Sequence, residues 1–582
     1  MFDEIIQKII QAKPSTKAEF DDIRRKVCGE MKTNQPSNRN LLQAYQNLVK
    51  NGSIKINKQI EHFLRKADIR TLSGVAIITS LVKPYSCPGN CVYCPTEKRM
   101  PKSYLATEPA AARALALKFS PYEQMERRIE MLEKNGHPTD KIEYIIKGGT
   151  WNAYQLKYQY WFILESFKAC NNLTRRKKKK TIQQFNNLTI DTLQKELNIE
   201  QNYNDLKAKH KIIGLTLETR PDAISPKTIY HMRKQGCTRI ELGLQAPDDK
   251  ILKLVNRGHT VEQFKDAILL LRHVGFKVDL HFMPDLPGST AKHDVEMYKQ
   301  LFSDPGFKPD MVKIYPCAVI KSAELNNWYQ SGKYKPYNKK ELFEALIEIK
   351  KSTPRYCRIS RLIRDIPSDE IEAGNIVTNL REYLDKEMTK QGAVCQCLRC
   401  REIGHSALSH KHLITLSPKL FVDEYETIGG TEYFLSFEDK KRQVVFAFLR
   451  LRLPKKQSAP LLGRAGESFL SDRQPQPNHS LTNGKELNNL ENLLNLGNLK
   501  NLSFIRELHT YGQLLKLGTE NKKDSQHKGM GKKLVLEAEK ITKKHDFKKI
   551  AVISGVGVRG YYRKLGYRKS GTYMVKSLIH SL

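Results

Sequence analysis

The spacing of hydrophobic and polar positions changes near residue 70. Before that point apolar residues recur at helical spacing, and a break containing Pro and Asn spans 34–38. After it, short β-branched runs alternate with amphipathic helical stretches. These runs lie at 74–82, 143–146, 212–217, 239–244, 277–282 and 311–314. The alternation predicts an α/β fold built on a parallel sheet or partial (β/α) barrel.

Two segments interrupt this pattern and help to divide the chain. Thr174 precedes a basic run, and the insertion of about 170–210 around it is expected to lack regular structure. A second insertion, about 454–500, is rich in Pro, Ser, Asn and Gln and predicts a loop. The predicted divisions are a basic helical region at 1–70 that would bind the phosphates of a nucleic acid, an α/β domain at 71–355, a linker at 356–420 and a C-terminal domain at 421–582.

Charge is the strongest compositional signal in this chain of 582 residues. Lys and Arg number 99 against 62 Asp and Glu, a formal net charge of +37, and hydrophobic residues make up 40%. That apolar share suffices for packed cores, and the charge favours a polyanionic partner such as nucleic acid. No apolar run reaches the roughly 20 residues that a membrane-spanning helix needs, and the N-terminus lacks the layout of a signal peptide. We therefore expect a soluble, cytoplasmic, nucleic-acid-binding protein without a membrane partner.

Three of the eleven cysteines form the first candidate site. Cys87, Cys91 and Cys94 have the spacing C-x3-C-x2-C directly after the first predicted strand. Three thiolates on one loop can hold three irons of a [4Fe–4S] cluster and leave the fourth iron open. The amino and carboxylate groups of S-adenosylmethionine (SAM) can chelate that open iron. A zinc knuckle is the alternative, although it would lack a nearby fourth ligand.

A second group of cysteines predicts a zinc site in the linker. Cys395, Cys397 and Cys400 offer three soft ligands on one turn. Because a structural zinc takes four ligands, we expect Cys317 to be the fourth, with His405 as the alternative. A reduced cluster without metal also remains open.

A glycine-containing loop near the C-terminus predicts a phosphate site. The loop comprises Gln526, His527, Lys528, Gly529, Met530 and Gly531. A Q-x-x-G-x-G turn that opens a helix exposes backbone N–H groups at the positive end of the helix dipole, which suits a pyrophosphate. Taken alone, such a loop is as often only a helix cap. The short helix further on carries Tyr561 and Tyr562, either of which could position an acyl group or protonate a departing thiol, and packing is the alternative for one of them.

These motifs together resemble two known superfamilies. The spacing of the three cysteines is similar to that of the radical SAM superfamily. Gly148 and Gly149 stand where that superfamily contacts the amino group of SAM, and Glu218 and Gln245 stand at the ends of later strands. The C-terminal layout resembles a GNAT acetyltransferase, which implies acetyl-CoA bound at 526–531.

The combination in one basic chain resembles the Elongator protein 3 family. This resemblance implies formation of 5-carboxymethyluridine at the wobble uridine, position 34, of tRNA. A 5′-deoxyadenosyl radical from SAM would take hydrogen from the acetyl group of acetyl-CoA. The acetyl radical would then add to carbon 5 of the uracil, and water would release CoA. The anticodon stem-loop is the expected partner, because single-stranded loops can present an unstacked base.

Two other functions and the assembly state remain open at this point. A protein lysine acetyltransferase with a vestigial cluster would need only the GNAT part. A tRNA-binding scaffold with inactive cofactor sites would need neither chemistry. The sequence also leaves open a homodimer or Elongator-like partner subunits.

Overall fold

The computed structural model describes residues 1–65, 73–175, 188–405, 417–455, 501–511 and 529–579. Its helices are α1 (Phe2–Gln11), α2 (Lys17–Glu30), α3 (Asn38–Lys50), α4 (Lys58–Leu64), α5 (Pro109–Ala116), α6 (Pro121–Lys134), α7 (Leu156–Arg175), α8 (Ile190–Leu206), α9 (Pro226–Gln235), α10 (Asp249–Leu254), α11 (Val261–His273), α12 (Ala291–Ser303), α13 (Glu324–Gln330), α14 (Lys339–Ser352), α15 (Leu380–Lys390), α16 (Leu398–Arg401), α17 (Met530–Lys544) and α18 (Arg559–Arg563).

The strands form two large sheets and one small one. They are β1 (Ala76–Leu81), β2 (Lys141–Lys147), β3 (Lys211–Thr219), β4 (Arg239–Gln245), β5 (Lys277–Phe282), β6 (Met311–Ile314), β7 (Ala318–Ile320), β8 (Arg358–Arg361), β9 (Ile371–Gly374), β10 (Lys419–Thr427), β11 (Gly430–Glu438), β12 (Val445–Pro454), β13 (Leu502–Thr510), β14 (Lys549–Val552), β15 (Arg568–Ser570) and β16 (Tyr573–Ser577). No described helix is both long enough and apolar enough to cross a bilayer.

Helices α1–α4 form a bundle with its own core, as the apolar spacing predicts. Ile5, Ile6 and Ile9 of α1 are fully buried and pack against α2 and α3. The side chains of Thr16 and Ser37 accept backbone N–H bonds at the starts of α2 and α3. These caps satisfy donors that would otherwise lack a helical partner, so they fix where the two helices begin.

The first large sheet is parallel throughout and has the order β1-β2-β3-β4-β5-β6-β8. The prediction of a parallel sheet or partial barrel is confirmed, and each of the six predicted runs overlaps one of β1–β6. Strand β8 adds a seventh position at the edge, paired with β6. Polar side chains at the carboxyl ends of these strands therefore meet at one rim, where sites of parallel α/β folds lie.

The expected irregular insertion at 170–210 is wrong for most of its length. Helix α7 continues to Arg175, and α8 follows, with Leu193 and Leu197 of α8 fully buried. The Asn171 side chain donates to the backbone carbonyl of Glu200 over 2.9 Å, which ties the two helices together. The Lys-rich run at 177–180 lies outside the described residues, as does most of the second insertion.

The second large sheet has the order β10-β11-β12-β13-β14-β16-β15. Its strands pair antiparallel except for β13 and β14, which are parallel only from Leu502 to Ile505. Beyond Ile505, β13 stays paired with β12 as far as Thr510. The two halves of the sheet therefore separate along β13, and α17 packs across β11–β14 near this opening.

A buried ionic network joins the two sheets. It contains four arginines and two acids with fully buried side chains, namely Arg272, Arg450, Arg452, Arg506, Asp310 and Glu432. Arg506 of β13 donates to Asp310 of the parallel-sheet domain over 3.0 Å and to Glu432 of β11 over 2.8 Å. Such pairs have no water to replace a lost partner, so they fix how the two sheets face each other.

Candidate functional site

One cavity of about 1320 Å³ lies between the two sheets and is lined by residues of both. Its parallel-sheet wall includes Cys87, Cys91 and Cys94. Its other wall includes Leu508 of β13 and Tyr562 of α18. The volume exceeds that of a typical small-molecule site, so the cavity has room for more than one ligand.

The cysteine loop follows β1 and is held by the neighbouring backbone. The N–H of Cys94 donates to the carbonyl of Cys91 over 3.1 Å, which closes a turn. Arg257 donates through Nη1 to Sγ of Cys91 over 3.5 Å and through Nη2 to the carbonyl of Gly243. A guanidinium beside a thiolate stabilises its charge. Three thiols lining one cavity therefore fit a [4Fe–4S] cluster, and Arg257 would support it from behind.

The two glycines after β2 are required by their backbone conformation. Gly148 has φ +141° and Gly149 has φ +85°. A Cβ at Gly148 would overlap the side chain of Val82, so only glycine fits there. Gly149 lines the cavity with Thr150, whose hydroxyl lies 3.8 Å from Sγ of Cys87. The turn thus places bare backbone beside the cysteine loop, as the sequence predicts for a SAM contact.

Gln245 and Glu218 also reach the same cavity. Gln245 has φ +79°, an uncommon conformation for a residue other than glycine, and its buried Oε1 has no hydrogen-bond partner. Glu218 accepts a hydrogen bond from the Tyr104 hydroxyl over 2.7 Å. A strained residue with an unpaired polar atom at a strand end is typical of a binding site.

A second polar layer lies deeper in the cavity, around Glu241. Both Lys147 and Lys313 contact Oε2 of Glu241, the latter at 2.5 Å. Burial raises the pKa of Glu241, but the two ammonium groups outweigh it and hold that pKa well below its usual range. Burial lowers the pKa of Lys313 to about 8 against the pull of Glu241.

The carboxylates of this layer are unsuited to a metal ion. Glu218, Glu241 and His281 bring ligand atoms within 4.8 Å of one another. However, the two lysines already occupy Oε2 of Glu241, and their positive charges oppose a cation. The layer is therefore an ionic network rather than a metal centre.

The C-terminal residues predicted to bind acetyl-CoA separate into three groups. Gln526, His527 and Lys528 lie outside the described residues. Gly529 has φ +90° and caps α17, which begins at Met530. A Cβ on Gly531 would lie 2.9 Å from the hydroxyl oxygen of Tyr561, so glycine leaves room for that hydroxyl at the start of the helix.

The two tyrosines of α18 occupy different surroundings. Tyr561 is half-buried beside Gly531, whereas Tyr562 is buried, lines the large cavity and contacts the ring of Tyr567 edge-on at 5.9 Å. Tyr561 thus lies beside the turn at 529–531, and Tyr562 lines the cavity that the cysteines also line.

The linker cysteines form a compact group suited to a metal. The sulfur atoms of Cys395, Cys397 and Cys400 lie within 4.8 Å of one another. The structure does not bring Cys317 to this group. Its buried thiol lies beside the side chains of Tyr334 and Asp285, and burial raises its pKa. His405 is not part of this group either, and its Nε2 contacts Oε1 of Glu402 at 3.1 Å. Among the described residues the thiol group thus offers three metal ligands.

Sequence reasoning missed the residues that act across long separations. Arg257 stands in a loop after α10 with no motif around it, and only the fold brings it to Cys91. The pairing of Lys147 with Glu241 joins residues 94 positions apart. A charged residue inside a β-branched run was the available signal, because such a residue must find a buried partner.

Comparison with known proteins agrees with this geometry. The model of the radical SAM superfamily matches residues 82–301, and that of the radical SAM C-terminal domain matches 309–390. The chain is therefore a radical SAM protein, a class whose chemistry rests on a [4Fe–4S] cluster and SAM. It is 41% identical to the tRNA uridine(34) acetyltransferase of Methanocaldococcus infernus, over 88% of both chains. It is 34% identical to Elongator complex protein 3 of Danio rerio, over 88% of this chain and 86% of the relative.

A solved structure supports the same assignment. Archaeal Elp3 from M. infernus, with residues 1–46 deleted, matches at a TM-score of 0.66 and 37% identity, over 87% of this chain and 99% of that one. The chain belongs to the family these proteins form, the Elongator protein 3 family.

Proposed function

We propose that this chain uses acetyl-CoA and radical SAM chemistry to convert the wobble uridine of tRNA, position 34, to 5-carboxymethyluridine. The observation that carries the proposal is the shared cavity, which exposes the cysteine loop on one wall and Tyr562 on the other. Two relatives that cover most of the chain are named for tRNA uridine(34) or for Elongator. The net charge of +37 favours a polyanionic substrate.

The roles of the residues follow from their positions. Cys87, Cys91 and Cys94 would hold the cluster, which with SAM supplies a radical able to take hydrogen from an unactivated C–H bond. The turn at Gly148 and Gly149 presents backbone groups to the SAM amino acid portion.

The acetyl-CoA end of the cavity is assigned in the same way. Gly529, Met530 and Gly531 open α17 and would hold the pyrophosphate at its N-terminus. Tyr561 lies close enough to this turn to contact the cofactor, and Tyr562 would face the acetyl group from the cavity wall. The parting of β13 from β14 after Ile505 opens space for the pantetheine arm.

Cys395, Cys397 and Cys400 would hold a structural zinc ion. The compact thiol group supports this assignment. The zinc would stabilise the linker between β8 and β10 rather than take part in the reaction.

The test is an anaerobic reaction with reconstituted cluster, SAM, acetyl-CoA and unmodified tRNA transcript, read by nucleoside mass spectrometry. Wild type is expected to form 5-carboxymethyluridine, and Cys91→Ala to form none. Cys28→Ala, which removes a buried thiol from the α1–α4 bundle, is the matched control and should keep both iron and product. Acetylated lysine without modified tRNA would instead support the protein acetyltransferase. Binding of tRNA without turnover would support a scaffold.

A further inference from the structure

The polar layer below the cysteine loop has a composition that the cofactors leave unexplained. Its core is a triad of Lys147, Glu241 and Lys313, carried on β2, β4 and β6. The two ammonium groups flank one carboxylate, and their side chains are 15% and 6% exposed while Glu241 is fully buried. All three residues line the cavity.

The charges of this layer are already balanced. Lys147 and Lys313 face Glu241 and Glu218, with Lys147 Nζ lying 3.9 Å from Oε2 of Glu218. Asp279 lies 4.0 Å from Lys313, and burial lowers the pKa of His281, so the imidazole adds no lasting positive charge. An anionic ligand would therefore find no uncompensated cation, and a neutral polar ligand fits better.

The layer also has unused hydrogen-bonding capacity. Oε1 of Glu241 is buried and has no hydrogen-bond partner, and the same holds for Oδ1 of Asp279. An ammonium group carries three N–H donors, so each lysine keeps donors beyond its bond to Glu241. Buried acceptors normally receive a hydrogen bond. Two acceptors without one beside a cavity therefore indicate a ligand that donates to them. In the order of their strands in the sheet, β2, β4 and β6, the three residues offer a donor, an acceptor and a donor.

We propose that Lys147, Glu241 and Lys313 read the Watson–Crick edge of the target uracil. Uracil presents O4, N3–H and O2, the acceptor–donor–acceptor complement of the triad. Cytosine presents an amino group in place of O4 and an N3 without hydrogen. One contact would then place a donor against a donor, and another an acceptor against an acceptor. This assignment rests on the proposed function and adds to it the means by which the enzyme distinguishes uridine from cytidine at position 34.

The experiment measures binding of 17-nucleotide anticodon stem-loops to the full chain with its reconstituted cluster, by anaerobic fluorescence anisotropy. The probes carry uridine, cytidine or 3-methyluridine at position 34, the last because its methyl group blocks N3–H. Wild type is expected to bind the uridine probe about tenfold more tightly than either of the others, as for one good base-edge contact. Lys147→Met should reduce that preference to about twofold without weakening binding of the cytidine probe.

The control is Lys209→Met, which removes a lysine from an exposed ion pair with Glu133 and should keep the tenfold preference. The inference is overturned if wild type binds the three probes equally, or if Lys147→Met keeps the full preference. It is also overturned if Lys147→Met loses SAM affinity while its preference for uridine is unchanged. The 3-methyluridine arm needs no variant, so it decides even if Lys147→Met misfolds. A wild-type chain that binds no probe contradicts the proposed function itself, whereas an unchanged preference in the variant contradicts only the uracil triad.

Discussion

Replacing Arg506 with Met tests whether the ionic network holds the two sheets together. The Arg506 side chain donates to Asp310 over 3.0 Å, to Glu432 over 2.8 Å and to the carbonyl of Phe276 over 2.6 Å. After the change, Glu432 keeps Arg272 and Arg452, each at 3.1 Å. Asp310 keeps the Arg450 ion pair at 3.7 Å and a hydrogen bond from the backbone N–H of Val278 at 2.9 Å, so it loses its closest cation. The substitution therefore leaves one buried carboxylate poorly paired.

The expected cost follows from two independent arguments. Breaking a buried ion pair by removing one partner lowers the free energy of unfolding by about 3–5 kcal/mol. Burial raises the pKa of Asp310, but Arg506 and Arg450 outweigh it and lower that pKa from the ordinary 3.8 to about 2. A shift of that size corresponds to about 2 kcal/mol of stability at neutral pH. We therefore expect a loss of about 2–5 kcal/mol.

Guanidinium chloride unfolding of the full chain, followed by circular dichroism at pH 7, measures the loss. The matched control is Arg361→Met, since Arg361 pairs with Asp365 at 2.7 Å but both side chains are about half exposed. That pair should contribute less than about 1 kcal/mol. Equal stability of the two variants would refute the structural role of the network.

The pH dependence of stability tests the role of Asp310 in a second way. A carboxyl group with a lowered pKa stabilises the fold above its unfolded-state pKa, and this contribution is lost as pH falls through the folded-state value. For Asp310 that window runs from about pH 4 down to about pH 2. The gap in stability between wild type and Arg506→Met should therefore narrow across that window. A gap that stays constant would show that Asp310 is not the group involved.

Three further predictions concern the binding sites. Cys395→Ser should abolish zinc in elemental analysis of the purified chain, whereas Cys317→Ser should retain about one ion per chain; loss of zinc from both would return Cys317 to the site. Gly148→Ala should weaken SAM binding at least about tenfold in equilibrium dialysis, since its Cβ would overlap Val82. Gly29→Ala, at an exposed position in α2 with open space around it, is the control. Tyr562→Phe should slow tRNA-stimulated acetyl-CoA hydrolysis more than Tyr561→Phe, and the reverse order would reassign the two roles.

The elements that the sequence predicts well are those with a strong local pattern. Strands β1–β6 are short runs rich in apolar residues, so their existence follows from the hydrophobic pattern. Strand β8 was missed because only Ile359 among its four residues is buried. Helix α8 was missed because polar Gln201 and Asn204 also occupy its buried face, so its apolar period is weak. Its position depends on its neighbours, because Asn204 donates to Asn171 of α7 over 2.9 Å and Gln201 donates to the carbonyl of Lys234 of α9 over 3.1 Å.

The residues of the candidate site also fall into those with a local sequence pattern and those that depend on tertiary contacts. Glycine turns and cysteine spacings are local, so the sequence alone could propose Gly148 and Cys91 as site residues. The fourth zinc ligand depends on which loops meet in space, and there the prediction of Cys317 did not match the geometry. Its N–H donates to the carbonyl of Pro284, which commits that segment to the loop after β5. A thiol held there is buried beside Tyr334, away from the linker cysteines.

The contact between the sheets holds the two walls of the cavity in one arrangement. Arg506 fixes β13 against the backbone of the parallel-sheet domain at Phe276, and the Tyr573 hydroxyl donates to the carbonyl of Val274 over 2.9 Å. Directional bonds of this kind specify one orientation, whereas a purely apolar interface permits sliding. A group presented on the Tyr562 wall therefore stays at a set position relative to the cysteine loop. These bonds set the orientation of the two walls in the folded chain, and reaction rates depend steeply on such placement.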